Sequence, residues 1–320
     1  MPDLIDRAAS PGPRPAENRF GLTPTQRRSV LLLTAGALAL YLGMRWLPTG
    51  TNLSHMDFRV EGKGAIEMCD PSAPQFIPVV AARSPVELTL KTDGEPALGK
   101  ETPFTLMFRT AGGKPIGPED LAVAHTSKLH LLIVDPTLSD YQHIHPEPGR
   151  RAGEWTFTLR PQRAGQYRVF ADFVPVATQR GLYASVDFTV PGAVARVTRT
   201  PTTSLQSGRF RYDLDVPPLW RANVPVELTF RIESVAAQKT PVPLEPVMDA
   251  FAHLVTFDEA RSGFAHLHPK ETDLTRPPDL LKPELHFQVA IPQAGRYVIW
   301  AQVKVGGEET FVPFWIDVLP

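Results

Sequence analysis

The chain has 320 residues, a net charge of −1, 42% hydrophobic and 21% charged residues. This balance excludes wholesale disorder, and a charge so near zero gives no electrostatic reason to expect nucleic acid. Its 34 prolines, about 11% against a usual ~5%, exclude a mostly helical protein, and its one cysteine, Cys69, excludes a disulfide framework and any Cys-rich zinc or iron–sulfur site.

Residues 1–28 form a polar leader in which Arg7, Arg14, Arg19, Arg27 and Arg28 outnumber Asp3, Asp6 and Glu17. From Ser29 to Met44 the chain is almost wholly apolar, and Trp46 and Leu47 extend the run past Arg45. A helix over 29–47, rising 1.5 Å per residue, spans roughly 28 Å, close to a bilayer core. Arg45 can snorkel and Trp46 suits the interfacial belt. The Arg27–Arg28 pair keeps the leader cytoplasmic, so the expectation is a single-pass anchor in a bacterial inner membrane with the rest in the periplasm. The rival is a cleaved signal peptide, whose apolar core runs about 7–15 residues before a small-residue site. Here the Ala37-Leu38-Ala39 triplet lies inside the run instead. Residues 48–80 read as a stalk or as an edge strand added to the first domain.

Beyond residue 80 the chain alternates apolar and polar residues in short runs broken by Gly, Pro and Asp, and it does so twice. Thr102–Arg109 parallels Val224–Arg231, Leu129–Asp135 parallels Ala252–Asp258, Tyr141–Pro146 parallels Phe264–Pro269, and Ala164–Ala171 parallels Ala294–Ala301. About seven strands are expected in each copy. They lie near 85–90, 103–109, 128–134, 140–145, 154–159, 166–173 and 184–190, then near 209–215, 224–231, 251–257, 263–268, 284–290, 296–303 and 310–318. The fold class is therefore all-β: two tandem antiparallel β-sandwiches of immunoglobulin or cupredoxin type, over 81–192 and 205–320, joined by a linker at 193–204.

Six of the nine histidines fall in the repeated pattern His-x12-His-x-His-Pro, as His130, His143 and His145 and as His253, His266 and His268. Residues two apart on a strand share a face, so each His-x-His pair points to one side. A hairpin turn at Asp135–Asp140 sets His130 opposite that pair, and Asp258–Gly263 does the same for His253. A register slip of one residue would turn His130 to the other face. Three converging imidazoles suit copper, with zinc as the alternative. His125 and Met248, each five residues before the first motif histidine, are candidate fourth ligands of their own triads, and the thioether would favour copper(I). Tyr141 and Phe264 are placed to shield an ion. The competing reading makes the histidines structural pins that hold the hairpins in register, with no ion bound.

His55 and His286 lack counterparts and read as incidental. Cys69, beside Met68, is a soft copper ligand, a site of intermolecular pairing or a buried thiol. The Ala-Gly-x-Tyr segments read as a turn leading into a strand, and Asp135 and Asp258 as turn formers. No nucleophile elbow, phosphate loop, dinucleotide fingerprint or His-Glu-x-x-His occurs, so a non-enzymatic protein is expected.

The segments Leu129–Pro146 and Ala252–Pro269 resemble those of bacterial membrane-anchored or exported proteins that carry a His-x-His-Pro β-domain. In architecture these are similar to the YtkA-like and copper-resistance (CopC-like) β-sandwich proteins. The resemblance covers roughly residues 84–320 and implies an immunoglobulin- or cupredoxin-like fold with a role in metal handling, chiefly of copper. Storage, delivery or resistance is the expected function, and the alternative is an accessory or assembly subunit of a membrane complex. Expected partners are the membrane, through the N-terminal helix, and a periplasmic or membrane protein.

Overall fold

A computed structural model describes residues 21–46, 53–59, 75–236 and 240–320 of the chain. Cys69 with Met68, Leu47 and the side chains of Arg45 and Trp46 lie outside the described residues. The chain divides into two compact units, 1–50 and 51–320.

In the first unit a helix, α1, runs from Pro24 to Trp46, starting five residues before the apolar run. Its entry is capped reciprocally: the Thr23 amide donates to Gln26 Oε1 at 2.9 Å and the Gln26 amide donates to Thr23 Oγ1 at 3.3 Å. Pro24 then occupies the first helical position, where its missing donor costs nothing. The stretch Pro24–Met44 is long and apolar enough to cross a membrane, by length and composition.

The second unit is two β-sandwiches. The first contains β1 (Val86–Thr92), β2 (Thr102–Thr110), β3 (Leu121–Ala122), β4 (Leu129–Val134), β5 (Tyr141–Ile144), β6 (Glu147–Pro148), β7 (Glu154–Leu159), β8 (Gly165–Pro175) and β9 (Leu182–Val190). The second contains β10 (Ser204–Ser207), β11 (Phe210–Asp215), β12 (Val226–Ser234), β13 (Leu244–Glu245), β14 (His253–Asp258), β15 (Phe264–Leu267), β16 (Glu284–Val289), β17 (Gly295–Val305) and β18 (Glu308–Val318). Sheet orders correspond. One sandwich pairs β1-β2-β7-β6 with a sheet of β5, β4, β8, β9 and β3; the other pairs β10-β11-β12-β16 with β15, β14, β17, β18 and β13. All strand ladders are antiparallel. Thr202 bridges Trp315, and β10 begins at Ser204.

Burial patterns show how the sandwiches meet. β2 and β7 alternate between buried and exposed residues, as a sheet with one wet face must. β4 is buried at every position and β14 at all but its last, so both faces of these strands are covered. One face packs into its own sandwich. The other packs against the opposite sandwich in a shared cluster of Leu132, Val134, Tyr141, Phe170, Val255, Phe257, Phe264, Val298, Trp300 and Trp315. Burying each such side chain contributes about 1.5–3 kcal/mol, so the two sheets form a core of their own. Arg168 and Arg261 add polar ties, donating to the Arg261 carbonyl at 2.7 Å and the Gln166 carbonyl at 2.5 Å respectively.

The residues before the first sandwich divide between the two. Leu53 and Phe58 pack into the first core. Gln75 and Ile77 bridge Ala290 and Phe264 of the second.

Candidate metal centre

The β4–β5 hairpin sets Leu132 opposite His143 and Leu131 opposite Ile144. Residues directly opposite share a face, so His130, two before Leu132, lies on the face of His143 and His145. In the second repeat Val255 faces His266, which places His253 with His266 and His268. Each triad converges: three ligand nitrogens lie within 4.8 Å of one another in His130/His143/His145 and again in His253/His266/His268. The one-residue slip does not occur.

Two histidines of the first triad have the roles of their ring nitrogens fixed by hydrogen bonds. His130 Nε2 lies 2.8 Å from the Ala124 carbonyl and must donate to it, which leaves Nδ1 as a lone pair. His143 Nδ1 lies 2.9 Å from Gln302 Oε1, while the Gln302 amide nitrogen donates to Glu309; His143 therefore donates through Nδ1 and keeps a lone pair on Nε2. These two lone pairs face each other at 3.2 Å, with His145 Nε2 at 3.0 Å from His130 Nδ1. A donated Nε2–H from His145 would satisfy His130 Nδ1 but leave the His143 lone pair without a donor, and a cation in the centre could take all of them. A proton is disfavoured, because burial depresses the His130 imidazole to about 4 and that of His143 to about 3. The three nitrogens are close enough together that one metal ion could take them all.

In the second triad His266 Nδ1 donates to Asp172 Oδ2 at 3.1 Å, leaving Nε2 as a lone pair. That atom is buried and unpartnered, as are His268 Nε2 and both nitrogens of His253. Buried polar atoms are otherwise almost always hydrogen-bonded, so four orphans on three neighbouring imidazoles leave a group that could hold a metal ion. Desolvation lowers His253 to about 2 and His268 to about 3, and holds His266 well below its ordinary value. The same loss of solvent pushes the Asp172 carboxyl up to about 7. The carboxylate–histidine pair is a common support for a metal ligand, fixing its tautomer and raising its basicity.

Sequence spacing suggests two separate sites, one per domain. The fold instead brings both triads to the interface between the sandwiches. The rings of His143 and His266 are 5.3 Å apart, those of His130 and His266 5.8 Å, and those of His143 and His253 6.1 Å. The supports are exchanged. Asp172 and Gln302 occupy equivalent places, opposite His130 on β8 and opposite His253 on β17, yet each bonds a histidine of the other sandwich. Neither residue was singled out from sequence. The signal was available as one polar residue at an inward position of a long apolar strand in each copy.

His125 and Met248 both sit at left-handed φ, at 47° and 49°, in matching two-residue turns followed by Thr126 and Asp249 at 69° and 64°. Strained backbone of this kind clusters at functional sites. Neither belongs to a close triad. The ring of His125, expected beside the first triad, stacks on His268 of the second at 3.6 Å and 17°, against 6.3 Å to His130. Met248 Sδ lies 4.0 Å from the Gln302 amide nitrogen. Seven histidines thus gather at one interface; His125 is exposed and His145 and His268 half-buried, which opens one side to solvent.

Tyr141 and Phe264 belong to the apolar cluster behind the histidines. His286 pairs with Glu271 at 2.7 Å, away from the centre. Asp135 accepts amide bonds from Thr137, Ser139 and Asp140 at 2.7–2.9 Å, as a turn former does. Tyr167 donates to Asp140 Oδ2 at 2.5 Å, and Tyr297 donates to the carbonyl of Gln293, four residues back, at 2.9 Å.

No curated protein matches the chain in sequence. Among solved structures, the native conformation of Escherichia coli alpha-2-macroglobulin is similar over 73% of this chain and 17% of that one, at 14% identity and a TM-score of 0.23. The trypsin-activated form gives 13% identity, 73% and 18% coverage and a TM-score of 0.22. A marsupial T cell receptor gives 12% identity, 73% and 72% coverage and a TM-score of 0.21. None of these comparisons names a copper-handling family. A family model matches the two segments that fold as sandwiches, residues 82–192 and 207–319, so the chain belongs to the family described as domain of unknown function DUF8832, in two tandem copies.

Proposed function

We propose that this is a membrane-anchored, periplasm-facing protein that binds copper for storage, delivery or resistance, and that it catalyses no reaction. The observation that carries the metal reading is the facing pair of lone pairs on His130 and His143 at 3.2 Å, joined by His145. Copper is preferred over zinc because every close ligand is an imidazole, and at such sites copper(II) binds more tightly in the usual affinity order. A thioether, Met248, lies nearby and would favour the univalent ion. The anchor rests on the apolar helix Pro24–Met44 behind the Arg27–Arg28 pair.

A second reading has its own support. The bonds His143–Gln302 and His266–Asp172 tie one sandwich to the other, as structural pins in an accessory subunit would. Titration of the full chain in detergent with copper(I), copper(II) and zinc separates the two, with bound metal measured for wild type and the His143→Ala/His145→Ala variant. Tight binding that falls in the variant supports the metal reading. Negligible binding of all three ions, or copper(I) binding unchanged in the variant, leaves the pins.

A further inference from the structure

Resting on that reading, we propose that the two triads act as one two-ion centre, which takes two univalent copper ions but a single divalent ion. The divalent ion occupies the triad supported by Asp172: His253, His266 and His268. Three observations lead here.

The first is proximity. Rings of opposite triads lie 5.3–6.1 Å apart in the buried interface, so ions held by them face each other across a short gap of low dielectric. Repulsion scales with the product of charges and is four times larger for two divalent ions than for two univalent ones.

The second is the lack of compensating charge. All six triad ligands are neutral imidazoles. Among the described residues Asp172 alone places a carboxylate directly on one of them, and its counterpart in the other repeat is the neutral Gln302. Glu309 reaches the first triad only through the Gln302 amide and is itself exposed, as are Glu147 and Asp249 at the rim. Water screens these three far more than it screens Asp172. One divalent ion is therefore supported and a second is not.

The third is the placement of the outer donors. The imidazole of His125 stacks on His268, beside the Asp172-supported triad. The sulfur of Met248 touches the Gln302 amide, beside the residue that orients His143. A harder donor accompanies the charged support and a softer one the neutral support, which matches a univalent ion at His130, His143 and His145.

The test is stoichiometry on the full chain in detergent. Anaerobic copper(I), titrated against a competing chelator, should load two ions per chain, and zinc one. Asp172→Asn should weaken zinc binding at least tenfold while leaving the copper(I) count at two. The exchange Gln302→Glu with Glu309→Gln keeps the bond between those two side chains and puts a carboxylate on His143. It should raise the zinc count from one to two, a gain that misfolding cannot produce. Two zinc ions bound equally by wild type, or a zinc site unaffected by Asp172→Asn, would overturn the pairing while leaving metal binding intact. No metal bound at all overturns the proposed function and this pairing with it.

Discussion

His143 of the first sandwich and Gln302 of the second are 159 residues apart in sequence and 2.9 Å apart in space. The equivalent pair, His266 and Asp172, is related by the same exchange at 3.1 Å. Each triad takes its histidines from one repeat and the hydrogen-bond partner of its middle histidine from the other. A lone sandwich could present three histidines, but the middle one would have nothing to fix its tautomer. Duplication here therefore does more than double a site, since it completes one.

His253 is fully buried with both ring nitrogens unpartnered, which costs the metal-free protein about 1–3 kcal/mol. His253→Leu should therefore raise the melting temperature of the metal-free protein. It should also abolish the stabilisation that zinc gives wild type. Thermal unfolding with and without metal reads both effects. A variant less stable without metal than wild type would show that His253 has a partner in the protein itself.

Much of this fold is legible in the sequence, because strands with one wet face alternate and the two copies repeat their spacing. The expected strands near 128–134 and 140–145 match β4 and β5, and the hairpin register follows from a turn that Asp135 closes with its carboxylate. The three shortest strands, β3, β6 and β13, span two residues each and carry too little periodicity to be seen, and the four-residue β10 begins in the stretch read as a linker. The face-to-face docking was written in the unbroken burial of Leu129–Val134, but a continuous apolar run does not say which element covers it. For that reason the triads read as two sites, and Asp172 and Gln302 went unnoticed.

Phe257 is fully buried in the shared cluster, with ring neighbours Tyr141 and Phe170 of the other sandwich at 5.5 and 5.8 Å. Phe257→Ala should cost about 3–5 kcal/mol and loosen the metal centre as the sheets part. Phe104, stacked on Phe157 inside the first core, is the control. Phe104→Ala should cost a similar amount with metal affinity unchanged in the folded protein. Urea unfolding combined with metal titration checks both. Equal losses of affinity in the two variants would mean that the interface does not govern the site.

The helix Pro24–Met44 follows a leader rich in arginine, which sets the expected orientation. Protease added to intact spheroplasts should digest the sandwiches down to a small membrane-bound fragment. Protection of the sandwiches until the membrane is broken would reverse the topology. Release of the sandwiches into the periplasmic fraction as a chain shortened by the leader and helix would identify the helix as a cleaved signal.

Gly263 lies where residues before the first sandwich cross the edge strand β15. Ile77 and Phe264 exchange backbone bonds there, at 2.7 and 3.1 Å, and Ile77 and Val79 enter the shared cluster. A Cβ on Gly263 would stand 1.8 Å from the Ile77 carbonyl oxygen, far inside contact distance, so a side chain can be admitted only if the crossing segment moves away. Gly263→Ala should thus expose the stretch around Ile77 to protease and lower stability by the bonds and apolar burial that segment supplies. The triads themselves should keep their geometry, because His266 and His268 point into the interface from further along the hairpin. Limited proteolysis followed by metal titration of the nicked product reads this directly. A variant as resistant as wild type would show that the segment is not held at β15.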